Sequence, residues 1–263
     1  MNSEDGNPSS GGSSDDSFVV IPARSASTRL PRKLLLNETG RSVLEHTYLA
    51  ACGAERPSGV CIAAADAVIA ADVRRFGGHC EMTDPEAKSG TDRVAEVAKR
   101  MPQYGIFVNV QGDEPEIDPA QIDQVVELLE SDEQAVMATL AVPIRDHDRL
   151  IDPSCVKVVT DSAGRALYFS RSPIPCSREW DDTLLDTEPA LFWQHLGIYA
   201  YRREFLLQFG GLNASNLEAT ESLEQLRVLQ AGYTIGVGTT THAAKGIDTL
   251  ADYQAFVSRA RAC

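Results

Sequence analysis

Apolar and polar positions fall in blocks along the chain, and the period within each block separates strands from helices. Phe18 to Pro22 (FVVIP) is a short β-branched run that stops abruptly at the polar stretch Ala23 to Lys33, the pattern of a buried strand feeding a loop. From Ser42, which is placed to cap a helix, Leu44, Tyr48 and Ala51 recur at helical spacing before Gly59 to Ala65 resumes strand character. Asp66 to Phe76 and Gly90 to Met101 read as helices, and Ile106 to Val110 (IFVNV) as a second strongly apolar strand that also ends in a polar loop. Beyond a helix at Ala120 to Glu130 the chain becomes richer in strands. These are Ala135 to Val142, Val156 to Thr160 and Ala166 to Ser170, the last two joined by a turn at Ser162-Ala163-Gly164. Ser172 to Pro189 is polar, holds three prolines and has no period, which predicts a long loop. A strand near Leu196 to Tyr201, a helix from Glu221 to Ala231 and a last strand-like stretch follow. Gly246-Ile247-Asp248-Thr249 then offers an Asp or a Thr to cap a closing helix that reaches about Arg259.

Alternating strands and helices predict an α/β protein: a mainly parallel, Rossmann-like sheet with helices on both faces and a small strand-rich lobe from the second half. Ligands of such sheets collect beyond the carboxyl ends of the strands, where both polar loops lie. Residues 18–263 are expected to form this domain. Residues 1–17 have no aliphatic or aromatic side chain after the initiator methionine and no signal-peptide pattern, so they are expected to be a disordered tail.

Composition narrows the function. No apolar run approaches the roughly 20 residues of a membrane span, so no membrane is expected. The six cysteines are scattered without a CxxC pair, which suits a reducing, cytoplasmic setting. A net charge of −14 argues against nucleic-acid binding, and an anionic small substrate must therefore be held by a local basic cluster.

Such a cluster follows the first strand. PARSASTRLPRK sets Arg24, Arg29, Arg32 and Lys33 among Ser25, Ser27 and Thr28, the mix of cations and hydroxyls that polyphosphate binding uses. It lacks both the GxxxxGKS/T of a P-loop and GxGxxG. The second loop, NVQGDEPEID, offers Asp113 and Glu114, and magnesium needs only one or two protein carboxylates beside phosphate and water. A turn aspartate bonded to its own backbone is the plainer alternative for Asp113, and helix capping for Asp248. His195 and Tyr199 share one face of a strand and Arg171 ends another, a set suited to a carboxylated, hydroxyl-rich ligand; a buried, satisfied histidine is the competing reading.

The motifs PARxxSTRLPxK, SGTDRVAE, NVQGDEP, MATLAVPI, ALYFSR, HLGIYAYR, SLEQLRVL and GIDT, in that order from Phe18 to about Tyr253, resemble the 3-deoxy-manno-octulosonate (Kdo) cytidylyltransferase family. The resemblance implies a nucleotide-diphospho-sugar transferase fold, usually homodimeric, that joins CTP to Kdo and gives CMP-Kdo and pyrophosphate for lipopolysaccharide biosynthesis. It implies catalytic roles for Arg24, Lys33, Asp113 and Asp248, with magnesium on Asp113 and Asp248. Ser27, Arg29, Ser89 and Arg93 would meet the nucleotide, and Gln111, Arg171, His195, Tyr199, Glu224 and Gln225 the sugar. Two departures stand out: the family's LPGKPL is LPRKLL, with Arg32 for a glycine, and its His-x-Ser-Gly-Thr begins with Ala87. The rival readings are a cytidylyltransferase for another acidic sugar, such as 8-amino-Kdo or a sialic acid, and a non-catalytic nucleotide-binding protein.

Overall fold

The computed structural model describes residues 16–27 and 29–262. Most of the expected tail lies outside those residues, but Ser17 already belongs to the first strand, and the Asp16 carbonyl accepts from the Gly105 and Ile106 amides.

Among the described residues, nine strands form one sheet. They are β1 (Ser17–Ala23), β2 (Val60–Ala64), β3 (Cys80–Met82), β4 (Ile106–Asn109), β5 (Ala135–Pro143), β6 (Lys157–Thr160), β7 (Ala166–Ser170), β8 (Trp193–Arg202) and β9 (Thr234–Thr239). The central path runs β3-β2-β1-β4-β8-β5-β9. Every pairing along it is parallel except those of β8, which runs against both β4 and β5. The hairpin of β6 and β7 turns at Gly164, whose φ of +74 suits a residue without a Cβ, and joins β8 through Lys157 and Gln194. The small lobe is thus an extension of the main sheet, with its own satellite core around Ile144, Leu150, Cys155, Leu185 and Phe192.

Strand alternation divides the main core in two. Val19, Ile21, Ile62 and Val108 face the helices α1 (Val43–Ala51), α2 (Ala67–Arg75), α4 (Pro119–Ser131) and α9 (Leu250–Ala260), whereas Phe18, Val20, Cys61 and Phe107 face the other side. That second face is covered by α3 (Gly90–Arg100), α6 (Arg203–Phe209) and α8 (Gln225–Gln230). Two short helices, α5 (His147–Ile151) and α7 (Asn216–Glu221), complete the set.

The expected helix from Glu221 to Ala231 is helical only over α8, Gln225–Gln230, because its first residue instead ends α7. Ser222 adopts a left-handed conformation, φ 52 and ψ 49, which ends α7 before α8 begins. The long loop holds a single 3₁₀ turn, Asp182–Asp186, capped by Asp181.

Candidate active site

The loops after β1 and β4 meet where the parallel strands end. Asp66 caps α2 and also accepts from the Ser25 amide at 2.8 Å, fixing the start of the basic loop. Lys33 opens a 3₁₀ turn, Lys33–Leu35, and its ammonium is held between Asp113 and Asp248, with Asp248 Oδ1 at 3.1 Å. Arg29 reaches the same Asp248 oxygen at 3.1 Å. Gly112 lets the β4 loop come this close, since a Cβ there would lie 3.2 Å from the Pro22 carbonyl. The Ile247 amide donates to the Asp113 carbonyl at 2.9 Å and ties the two acidic loops together. Thr249, not Asp248, caps α9, in a capping box with Asp252, so the Asp248 carboxylate is free to face Lys33. Burial works against the Lys33 charge, but Asp113 and Asp248 outweigh it and hold the ammonium above the ordinary lysine range.

Two carboxylates from separate loops thus converge on one cation at the edge of a cleft. An all-oxygen pair beside a polyphosphate-sized opening fits a hard divalent ion such as magnesium, which keeps phosphate and water in its remaining positions.

The cleft has a volume of about 320 Å³ and is lined by Arg24, Ser27, Arg29, Lys33, Ser89, Arg93 and Asp113, all expected at the nucleotide and metal end, by Gln111, expected at the sugar, and also by Ala87 and Lys88. Ser89 caps α3 in a second capping box, with Asp92, and brings that helix's positive end to the cleft wall. Arg93 is only 4% exposed, and its guanidinium is engaged with Thr83 Oγ1 and the carbonyls of Asp84 and Pro85. It therefore holds the wall in shape while its flank lines the cleft.

A second cavity, about 250 Å³, shares Gly90 and Gln111 with the first. It contains the expected Tyr199, Glu224 and Gln225, and it adds Thr91, Asn109 and Tyr201. Gln111 donates to the Gly197 carbonyl at 3.3 Å, and Glu224 accepts from Thr91 Oγ1 at 2.9 Å. Burial raises the Glu224 carboxyl above its ordinary range. β8 reaches this place because it runs backwards, pairing Tyr199 with Asn109 at the end of β4.

Two expected residues stand elsewhere. Arg171 donates to the carbonyls of Glu221 at 2.6 Å, Pro153 at 3.0 Å and Ser222 at 3.4 Å, so its fork is already filled by backbone and lines neither cavity. His195 is buried against Tyr199, with ring centroids 5.4 Å apart, and against the edge of Phe169 at 4.9 Å. Burial pushes its pKa down to about 3, so the imidazole is neutral. Its Nε2 lies 3.1 Å from Thr139 Oγ1, whose own proton goes toward the Leu196 and Ile198 carbonyls, so Nε2 is the donor. Conversely, sequence reasoning passed over Asn109. The signal was present: a carboxamide inside IFVNV, two residues from Phe107 and from Gln111 and hence on their face of the strand.

The chain matches the family described as Cytidylyltransferase over residues 18–235. It is 50% identical over 243 residues, 92% of this chain and 97% of the relative, to the 3-deoxy-manno-octulosonate cytidylyltransferase of Rhodopirellula baltica. The enzyme of the same name from Geotalea daltonii is 45% identical over 245 residues, 92% of this chain and 96% of that one. Among solved structures, CMP:2-keto-3-deoxy-manno-octonic acid synthetase complexed with CTP superposes with a TM-score of 0.86 at 37% identity, covering 94% of this chain and 99% of that chain. Fold, paired loops and sequence agree, and the chain belongs to the 3-deoxy-manno-octulosonate cytidylyltransferase family.

Proposed function

We propose that the chain transfers CMP from CTP to the anomeric hydroxyl of Kdo, forming CMP-Kdo and pyrophosphate for lipopolysaccharide biosynthesis. The observation that carries this reading is the pair of adjoining cavities, one cationic and one lined by carboxamide, carboxyl and aromatic side chains, that meet at Gly90 and Gln111. A triphosphate in the first cavity sets its α-phosphorus toward a sugar in the second.

Arg24, Arg29 and Lys33 neutralise the phosphate oxygens, on which charge builds as the pyrophosphate bond breaks, and Ser27 adds a hydroxyl donor. Asp113 and Asp248 would hold magnesium, which when bound supplies positive charge to the phosphates and lowers the pKa of an attached hydroxyl. Lys33 then exchanges its carboxylate partners for phosphate. Gln111, Tyr199, Glu224 and Gln225 orient the sugar for in-line attack, and positioning of this kind accounts for a large share of such rate enhancements. His195 acts through Tyr199, and Arg171 by bracing the Ser222 turn that precedes Glu224.

A homodimer is consistent with four exposed apolar side chains, Ile151, Leu167, Trp180 and Leu191, on the segment around the small lobe. A cytoplasmic setting is supported by the free thiols of Cys52, Cys61, Cys80, Cys155 and Cys176. Among the described residues no helix is long and apolar enough to cross a membrane.

The deciding experiment measures pyrophosphate release with CTP, magnesium and Kdo, against omissions of each and against UTP, 8-amino-Kdo and sialic acid. Release that needs CTP, metal and Kdo together supports the reading. Activity with another sugar alone replaces the acceptor, and CTP binding without turnover on any sugar overturns the enzymatic reading. Asp113→Asn is expected to fold normally and to lose metal-dependent turnover; near-normal activity would remove Asp113 from the metal site.

A further inference from the structure

Among the described residues, three buried side-chain polar atoms have no hydrogen-bond partner: Asn109 Oδ1, Gln121 Oε1 and Gln225 Nε2. Asn109 and Gln225, 2% and 3% exposed, line the same cavity, the one beside the cationic cleft, and Gln121 does not. Folded proteins satisfy nearly all their buried polar atoms, so two left over in one cavity mark a place where a ligand completes the bonding. The Asn109 amide nitrogen is engaged by the Tyr201 hydroxyl, which leaves Oδ1 without a donor. Thr91 Oγ1 is spent on Glu224 and Gln111 Nε2 on the Gly197 carbonyl.

The two atoms have opposite demands. A carboxamide oxygen only accepts, and a carboxamide nitrogen only donates. An ammonium serves the first and faces the second with another donor; a carboxylate serves the second and repels the first. A hydroxyl both donates and accepts, so hydroxyl groups are the ligand chemistry that meets both. Tyr199, Tyr201 and Met137 on the same wall provide the apolar surface against which the C–H face of a sugar packs.

We propose that Asn109 is a specificity-determining residue for the acceptor sugar: with Gln225 it reads the sugar's hydroxyl groups from the floor of the second cavity. This rests on the acceptor assigned under Proposed function, and it adds to that assignment a residue and the groups that it selects. Asn109 is suited to the task because it ends β4, is clamped between β1 at Val20 and β8 at Tyr199, and so presents its carboxamide from rigid sheet rather than from a loop.

The test compares wild type with Asn109→Leu, Asn109→Ser and Gln225→Met. It follows binding of Kdo and of CTP by calorimetry, KM and kcat by pyrophosphate release, and thermal unfolding without ligand. Each variant is expected to weaken Kdo by about tenfold or more, the effect of losing one ligand hydrogen bond in a buried site, while CTP affinity stays within about twofold. Asn109→Leu is further expected to keep or raise the unfolding temperature of the free protein, because it removes an unsatisfied buried group. A structural residue would lose stability and both affinities together. Among Kdo analogues that each lack one hydroxyl, one should lose affinity in wild type and lose nothing more in Asn109→Leu. Unchanged Kdo affinity in both Asn109 variants, or equal loss of Kdo and CTP, overturns the inference while turnover of Kdo by wild type leaves the main reading standing. Failure of wild type to bind or use Kdo overturns both.

Discussion

Arg32 occupies a backbone conformation that its side chain disfavours. Its φ of 53 and ψ of 32 are left-handed, and this is the position at which the resembling family carries glycine. A Cβ in that conformation costs on the order of 1 kcal/mol, partly offset by the extra freedom glycine has in the unfolded chain. Arg32→Gly should therefore raise stability by up to about 1 kcal/mol, read as a shift of the urea midpoint. Glu114 makes a second prediction. Burial, and then the charge of Asp113, lift its carboxyl to about 8 from an ordinary 4.5. The folded protein then keeps a proton that the unfolded chain releases, so this group's contribution falls as pH rises from 4.5 to about 8 and is level above that. Glu114→Gln removes the effect. In metal-free buffer the variant should gain stability over wild type across that window, and parallel curves for the two proteins would contradict the assignment. The sequence made Lys33 and Asp113 legible because each follows a buried strand in a loop of matching chemistry. It could not show what Arg93, Arg171 and His195 were already holding, since donor type is written in the residue and donor occupancy is set by tertiary neighbours.

At the level of elements, the same limit has a different form. The strands β1, β2, β4 and β5 and the helices α1 to α4 were readable because each covers at least two periods of its apolar pattern. β3, α5, α6 and α7 span only three to seven residues, too few for a period to declare itself. The join between α7 and α8 was hidden because no glycine or proline marks it; Ser222 makes the turn, and Arg171 braces it from the neighbouring strand. Capping was ambiguous in GIDT for a related reason, as Asp and Thr are both good caps, and the choice of Thr249 is what leaves Asp248 for the site. Thr249→Ala is accordingly expected to cost about 1 kcal/mol in stability and to raise the magnesium concentration needed for half-maximal rate, with CTP affinity in the absence of metal unchanged. An unaltered magnesium requirement would separate the cap from the metal site.

Over the whole molecule, the sheet explains why one cleft can serve an anion inside an acidic protein. With a net charge of −14, long-range steering works against CTP, and capture depends on the few cations gathered beyond β1. Leu167 on β7, in the small lobe, is an exposed apolar side chain, 61% accessible. If that face joins two copies, Leu167→Glu should shift the protein toward monomer in sedimentation velocity at micromolar concentration. Unchanged dimer would move the contact elsewhere, and a wild-type monomer would remove it. The parallel sheet with helices on both faces was legible in advance, as was the strand-rich second half; the reversed direction of β8 was not, because pairing direction leaves no mark on the apolar pattern of a strand.

The ammonium of Lys33 meets Asp113 across 80 residues of chain and Asp248 across 215. During synthesis, then, the first of these partners is available long before the second. A ribosome-bound chain can settle Lys33 against Asp113 while Asp248, the second carboxylate, is still unmade. The nascent protein can thus pair Lys33 with one carboxylate before the other exists, and Asp248→Asn in the full chain, which keeps α9 on the core, should retain CTP without consuming it.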